Sequence, residues 1–153
     1  MSVDARINEL GLELPEAPKP GGNYTPMVQV HDICYVSGHG PVKTDGEMLK
    51  GRVGSEVSQE DGYTAARQVG LTMLATLKAN LGSLDRVVRI VKVLGMVNAA
   101  PDFQNHPQVM NGFSDLMVEV FGEPGRAARS AIGMGSLPGN ISVEVEAILQ
   151  VRD

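Results

Sequence analysis

The segment from Ile141 to Arg152 alternates apolar and polar side chains almost without interruption, and this pattern constrains the fold more than any other. The odd-numbered positions hold only Ile, Val, Ala or Leu, whereas the even-numbered ones include Glu144, Glu146 and Ile148. Because side chains alternate between the two faces of a strand, the segment is predicted to be a β-strand with one face in a core. Ile148 is an apolar exception on the opposite face.

The rest of the chain supplies an α+β pattern. Strands are predicted at 27–31, 33–37, 87–97 and 127–134, and helices at 3–10, 58–82 and 107–121. The order of these elements predicts one sheet with the two longer helices packed on one face. Residues 1–22, a short helix followed by a Pro/Gly-rich connector, are interpreted as a segment separate from the main domain at 23–153.

Two helices cover only one face of a sheet, so Ile148 and part of the apolar 87–97 strand are expected to lie on an uncovered face. Self-association into a closed oligomer would bury that face. Nucleic acid is a poor partner for the chain, because its net charge is −5 and only 4% of its residues are aromatic. The single Cys34 favours a reducing cytoplasm, and no stretch reaches the length of a membrane span.

Several residues carry candidate chemistry. The three histidines stand apart in sequence, which predicts no metal site. Arg129 lies among small residues and could hold a carboxylate with its planar guanidinium, although an isolated arginine more often faces water. Glu144 or Glu146 could position a water molecule, unless both are simply solvated. His39, Tyr24 and the backbone at Ser37-Gly38 are further candidates with equally plausible structural roles.

Three stretches resemble the signature of the Rid family, also called the YjgF or L-PSP family. The first is Arg129-Ser130-Ala131-Ile132, followed by Leu137-Pro138 and then by the Val143–Ile148 stretch. Tyr35-Val36-Ser37-Gly38 resembles the family strand that ends in Ser-Gly, and Asn111 fits its second helix. The resemblance covers Tyr24 to Arg152.

The resemblance implies a chorismate-mutase-like fold with a mixed sheet, a homotrimer with clefts between subunits, and cofactor-free hydrolysis of reactive enamines and imines to keto acids and ammonia. It implies that Arg129 binds the substrate carboxylate and that Glu144 orients the attacking water. The remaining expected substrate-binding residues are Gly38, Tyr24, Ser37, His39, Ala131 and Asn111.

This chain departs from the family pattern at three positions. Ala131 stands where many deaminating members have Cys, His39 stands where they have Gln, and Ser114 lies near a position that is often aromatic. These departures indicate a divergent branch with a reshaped pocket. Two alternatives therefore remain open: a trimer that binds small carboxylates or other proteins without catalysis, and an endoribonuclease or translation inhibitor, which the net negative charge disfavours.

Overall fold

The computed structural model describes residues 1–153 and contains three α-helices and five β-strands. Their bounds lie close to those predicted from the sequence. In chain order the elements are α1 (Val3–Glu9), β1 (Met27–Val30), β2 (Ile33–His39), α2 (Gln59–Leu81), β3 (Val87–Asn98), α3 (His106–Phe121), β4 (Ala128–Met134) and β5 (Val143–Val151).

The strands form one mixed sheet in the order β1-β2-β5-β3-β4. All neighbours are antiparallel except β3 and β4, which are parallel because α3 carries the chain back across the sheet between them. The predicted α+β fold with a mixed sheet is confirmed. The most strongly alternating strand of the sequence, β5, lies at the centre of the sheet.

Helices α2 and α3 pack side by side on one face of the sheet and form the core with it. Ser58 caps α2 by accepting a hydrogen bond from the Asp61 amide at 3.1 Å, and the helix ends at Gly82, whose φ is +80°. The two helices approach closely at Gly112, where a β-carbon would collide with the Tyr63 carbonyl oxygen. Phe113 is fully buried in this layer.

The N-terminal helix is joined to the same core. Ile7 is buried among the core residues, the Arg6 side chain donates to the Glu119 carbonyl at 3.0 Å, and the Val3 amide donates to Asp85 at 2.7 Å. Residues 15–26 then run without regular secondary structure, as their four prolines predict. None of the helices has the length and apolar character needed to cross a membrane.

The largest differences from the predicted boundaries are in two strands, β2 and β5. Strand β2 continues past Ser37 to His39, whereas β4 ends at Met134 as predicted. Strand β5 begins at Val143 rather than at Ile141. Ser142, expected on the polar face, is fully buried because its hydroxyl donates to the Gly51 carbonyl at 2.8 Å.

The sheet face opposite the helices is partly apolar and uncovered. Tyr35 and Ile148 are paired across β2 and β5, and Tyr35 is 51% exposed. Ile132 on the edge strand β4 is 41% exposed. Tyr35, Leu94 and Ile148 line a shallow cleft on this face together with Lys92 and Glu146.

Candidate functional site

Glu144 occupies the second position of β5, between β2 and β3. Its neighbours Val143 and Val145 are buried against the helices, so alternation directs Glu144 to the opposite face of the sheet. There its carboxylate lies against the α-carbon of Gly38 on β2, where a β-carbon would collide with Oε1. Gly38 thus leaves the space that this carboxylate occupies.

The backbone around Gly38 is irregular. Val36 pairs with Ala147 and His39 pairs with Val145, so Ser37 and Gly38 together oppose Glu146 alone in a β-bulge. Bulges of this kind interrupt strand pairing and redirect the local backbone, and they are frequent beside active sites. The bulge lies directly beside the carboxylate of Glu144.

The pKa of Glu144 is raised above its ordinary value. Partial burial is the main cause, because it disfavours the charged carboxylate, and the negative charge of Glu146 on the same face adds to the effect. A carboxyl group with a raised pKa can both accept and return a proton closer to neutral pH than an exposed glutamate can.

An open cleft of about 360 Å³ adjoins Glu144. Four more of the residues predicted to form the site line it together with Glu144: Tyr24, Ser37, Gly38 and His39. The Ser37 hydroxyl donates to the Thr25 carbonyl at 2.7 Å, and the Tyr24 hydroxyl accepts a hydrogen bond from the Gly21 amide at 3.2 Å. These bonds connect the cleft wall to the segment that leads from the connector into β1.

His39 lies beyond the predicted end of the second strand at Ser37, but in the structure it belongs to β2. It ends β2 and is only 5% exposed, because its ring has partners inside the protein. Nδ1–H donates to the Ser37 carbonyl at 2.6 Å, and Nε2 lies 2.8 Å from the Thr76 hydroxyl on α2. Burial lowers the pKa of His39, opposed by the bond to Ser37, which favours a neutral ring held between the bulge and α2.

Arg129 lies on the edge strand β4 and turns its guanidinium toward α3. Nη1 donates to Asn111 Oδ1 at 2.9 Å and to Ser114 Oγ at 3.1 Å, and Nη2 lies 3.5 Å from the Pro107 carbonyl. Asn111 therefore holds the arginine from the adjacent helix. The Nε edge makes no bond within the chain, which leaves donors available to a carboxylate.

Within one chain, Arg129 and Glu144 are not brought together. Glu144 pairs with Met96, which pairs with Ile132 on β4, so Arg129 is three residues away along the sheet. That offset is roughly 10 Å along the strands, and an odd offset also directs the two side chains to opposite faces. Ala131 lies on β4 on the same side as Arg129.

Some residues of the cleft were not predicted as substrate-binding residues. Met48, Pro138 and Ile141 line it, as do Pro18 and Pro20 of the connector. The signals in the sequence were the Leu137-Pro138 pair of the family motif and the density of prolines before β1. No group of three or more His, Cys, Asp or Glu side chains comes together in a way that could hold a metal ion.

The arrangement offers two chemical capabilities at separate places. Glu144 offers a half-buried carboxylate beside a backbone bulge and an open cleft, which suits activation of a water molecule. Arg129 offers a guanidinium preorganised by Asn111 and Ser114, which suits binding of a small carboxylate.

Comparison with known proteins identifies relatives over almost the whole chain. Residues 4–147 match the family model described as "YjgF/chorismate mutase-like, putative endoribonuclease". The chain is 39% identical to protein TCP17 of Trypanosoma cruzi, covering 99% of this chain and 95% of that protein. It is 30% identical to a 2-iminobutanoate/2-iminopropanoate deaminase of Dermatophagoides farinae, covering 92% and 95% of the two chains.

A solved structure from Shewanella oneidensis has the same fold. It superimposes with a TM-score of 0.94 at 32% sequence identity, covering 99% of this chain and 100% of that one. The similarity therefore includes the N-terminal helix and the connector as well as the sheet.

Proposed function

Because the chain belongs to the YjgF family, also called the Rid family, we propose that it hydrolyses reactive 2-imino acids and their enamine tautomers to 2-oxo acids and ammonia. The proposal needs no cofactor, since water is the only co-reactant. The lone, buried Cys34 suits a reducing cytoplasmic setting for this chemistry.

The observation that carries the proposal is the position of Glu144. A carboxylate whose pKa is raised by burial lies over Gly38 at one end of an open cleft. In this reaction Glu144 removes a proton from water as the oxygen attacks the C=N carbon. It returns that proton to the nitrogen to give a carbinolamine, and it then carries the proton of the new hydroxyl group to the nitrogen, so that the C–N bond breaks and ammonia leaves as the carbonyl forms.

Arg129 supplies the second requirement, which is to hold the substrate. Its Nε edge and the free part of Nη2 can receive the substrate carboxylate, while Asn111 and Ser114 hold the other side of the guanidinium. Fixing the carboxylate places the C=N carbon at a set distance from the attacking water. Imines already hydrolyse readily in water, so positioning of this kind has to lower the barrier only modestly.

The separation of Arg129 from Glu144 supports a site shared between copies of the chain. The uncovered apolar face around Tyr35 and Ile148 is suited to self-association. In a closed homotrimer each copy would contribute Arg129 to one cleft and Glu144 to another, which is the inter-subunit site that the family resemblance implies.

The alternative is a trimer that binds small carboxylates without turnover. It is favoured by the departures from the family pattern, because Ala131 replaces a thiol and His39 is committed to internal hydrogen bonds. The endoribonuclease alternative remains disfavoured by the net charge of −5.

The test is 2-oxo acid release from freshly generated 2-aminoacrylate and larger 2-imino acids, measured above spontaneous hydrolysis. We expect acceleration by the wild type and a loss of roughly 10- to 100-fold in Arg129→Ala, since hydrogen bonds to a charged group contribute about 1.5–3 kcal/mol. The control is Arg126→Ala, because Arg126 is exposed and pairs only with Glu123.

Folded wild-type protein that accelerates none of these substrates would contradict the proposal. Stabilisation of that protein against heat by pyruvate, and its loss in Arg129→Ala, would instead establish the non-catalytic alternative.

A further inference from the structure

The cleft beside Glu144 extends over a second glycine. A β-carbon at Gly40 would lie 3.2 Å from both the Met48 sulfur and Ile141 Cδ1, so these two side chains close over Gly40 as Glu144 closes over Gly38. The carboxylate and the apolar pair therefore lie side by side along residues 38–40, at the end of β2. Chemistry at Glu144 would take place next to an apolar surface.

The N-terminal connector also contributes to the wall of this cleft. Pro18, Pro20 and Pro26 line it, and Pro138 joins them from the turn before β5. Proline has a fixed backbone φ and no backbone N–H, so such a wall is rigid and offers few hydrogen-bond donors. Tyr24 completes it, with its ring lying 3.6 Å from where a β-carbon of Gly22 would be placed.

Charged groups are few in the cleft. Lys19 and Glu144 are the only Lys, Arg, Asp or Glu residues that line it, Lys19 is exposed, and the two form no ion pair. The part of the cleft next to Glu144 therefore suits an apolar group better than a charged one, because a charge that loses contact with water needs a partner.

The size of the cleft also favours a large apolar group. Its volume of about 360 Å³ falls within the range of small-molecule pockets. A three-carbon substrate bound near Glu144 has only its terminal carbon to place against Met48 and Ile141, and would leave most of the apolar surface in contact with water. A longer apolar side chain would displace that water.

We propose that the Met48, Ile141 and proline-lined part of the cleft is a side-chain subsite that selects 2-imino acids with large apolar side chains, such as those derived from leucine, methionine or phenylalanine. This assignment rests on the proposed imine hydrolysis, and it deepens that proposal by naming the substrate class. The connector at 15–26, which adds the proline wall, is then a specificity determinant of the site.

The test compares the leucine-derived and alanine-derived imines, each generated in situ by an L-amino-acid oxidase, with catalase present to remove hydrogen peroxide. For wild type we expect kcat/KM for the leucine-derived imine to exceed that for the alanine-derived imine by at least about tenfold, since a single methylene in an apolar pocket gives roughly 10- to 200-fold discrimination. Met48→Trp fills the subsite and should lower this ratio at least tenfold. Ala79→Trp adds the same side chain on the exposed surface of α2 and should leave the ratio unchanged.

A second measurement separates this inference from the proposed function. Titration calorimetry with the products 4-methyl-2-oxopentanoate and pyruvate should give tighter binding of the longer acid, and Met48→Trp should remove the difference. Acceleration of both imines with no preference in either assay overturns the subsite and leaves the hydrolysis standing. Preferential binding without any turnover overturns the hydrolysis and leaves the subsite standing.

Discussion

The carboxylate of Glu144 lies against the α-carbon of Gly38, two residues that are 106 positions apart in the chain and meet because β5 pairs with β2. Glycine is required at this position by the close approach of the glutamate rather than by a turn. The two residues thus form one unit of the candidate site.

Gly38→Ala should therefore damage activity more than stability. The new methyl group displaces the carboxylate, which lies at the end of a flexible side chain and can move away with little strain on the fold. A displacement of about 1 Å in a positioned group costs on the order of 100-fold in rate. The measurement is kcat/KM for imine hydrolysis together with the thermal midpoint of unfolding.

The matched control for this substitution is Gly135→Ala, because a β-carbon there meets nothing within 4 Å. It should behave as wild type in both measurements. Full activity in folded Gly38→Ala would show that the position of Glu144 beside Gly38 is not needed for the reaction.

The pH midpoint of the fall in kcat/KM should depend on the negative charge of Glu146. As the base, Glu144 acts when ionised, so kcat/KM should fall with decreasing pH around a midpoint above the ordinary pKa of a glutamate. Glu146→Gln removes a like charge that raises the pKa of Glu144, and should move this midpoint to lower pH. Glu123→Gln, at a distant exposed position, should leave the midpoint unchanged, and an equal shift in both variants would contradict the assignment.

The free energy of unfolding should decrease as the pH falls. The cause is His39, whose buried ring disfavours protonation in the folded protein. Its folded-state pKa is lowered by burial, so the unfolded chain binds a proton at a higher pH than the folded protein does. This contribution is fully present above the ordinary imidazole pKa of about 6.5 and is lost as pH falls toward the lower folded value. Denaturant unfolding of wild type between pH 7.5 and 5 measures the loss.

His39→Gln should flatten that dependence, since glutamine does not titrate. His31→Gln is the matched control, because His31 lies in the exposed turn between β1 and β2. A slope in His39→Gln as steep as in wild type would place the responsible group elsewhere.

If Arg129 and Glu144 of different subunits share one site, mixed assemblies of two impaired variants should regain activity. Arg129→Ala and Glu144→Gln should each lose most of the wild-type activity alone, but subunits of the two variants mixed before assembly should recover activity above that of either variant. If every cleft takes Arg129 from one copy and Glu144 from its neighbour, random mixing in equal amounts restores about a quarter of the clefts. Activity would be followed after joint refolding of the two variants.

Separately refolded samples combined afterwards provide the control, and they should show no activity above that of either variant for as long as subunits do not exchange. No recovery in jointly refolded, correctly assembled protein would mean that both residues serve the same cleft from one chain, or that one of them serves no cleft.

Local patterns in the sequence were sufficient to predict the elements and the family. The alternation in β5, the Ser58 cap and the glycine that ends α2 each act over a few residues, so they predict where strands and helices lie without reference to the rest of the chain. The motifs around Arg129 and Glu144 identified the family in the same local way. The errors at His39 and Ser142 share a cause, which is that a tertiary hydrogen-bond partner overrode a local preference.

The tertiary structure alone decided how these parts are combined. The order β1-β2-β5-β3-β4 brings Glu144 onto Gly38, buries His39 against Thr76 of α2, and turns Arg129 toward α3 on the side of the sheet away from Glu144. Strand order and register depend on pairings between residues far apart in the chain, so a local periodicity in the sequence cannot predict them. The sequence thus determined which side chains carry the candidate chemistry, and the long-range pairing of strands decided which of them one chain can bring together.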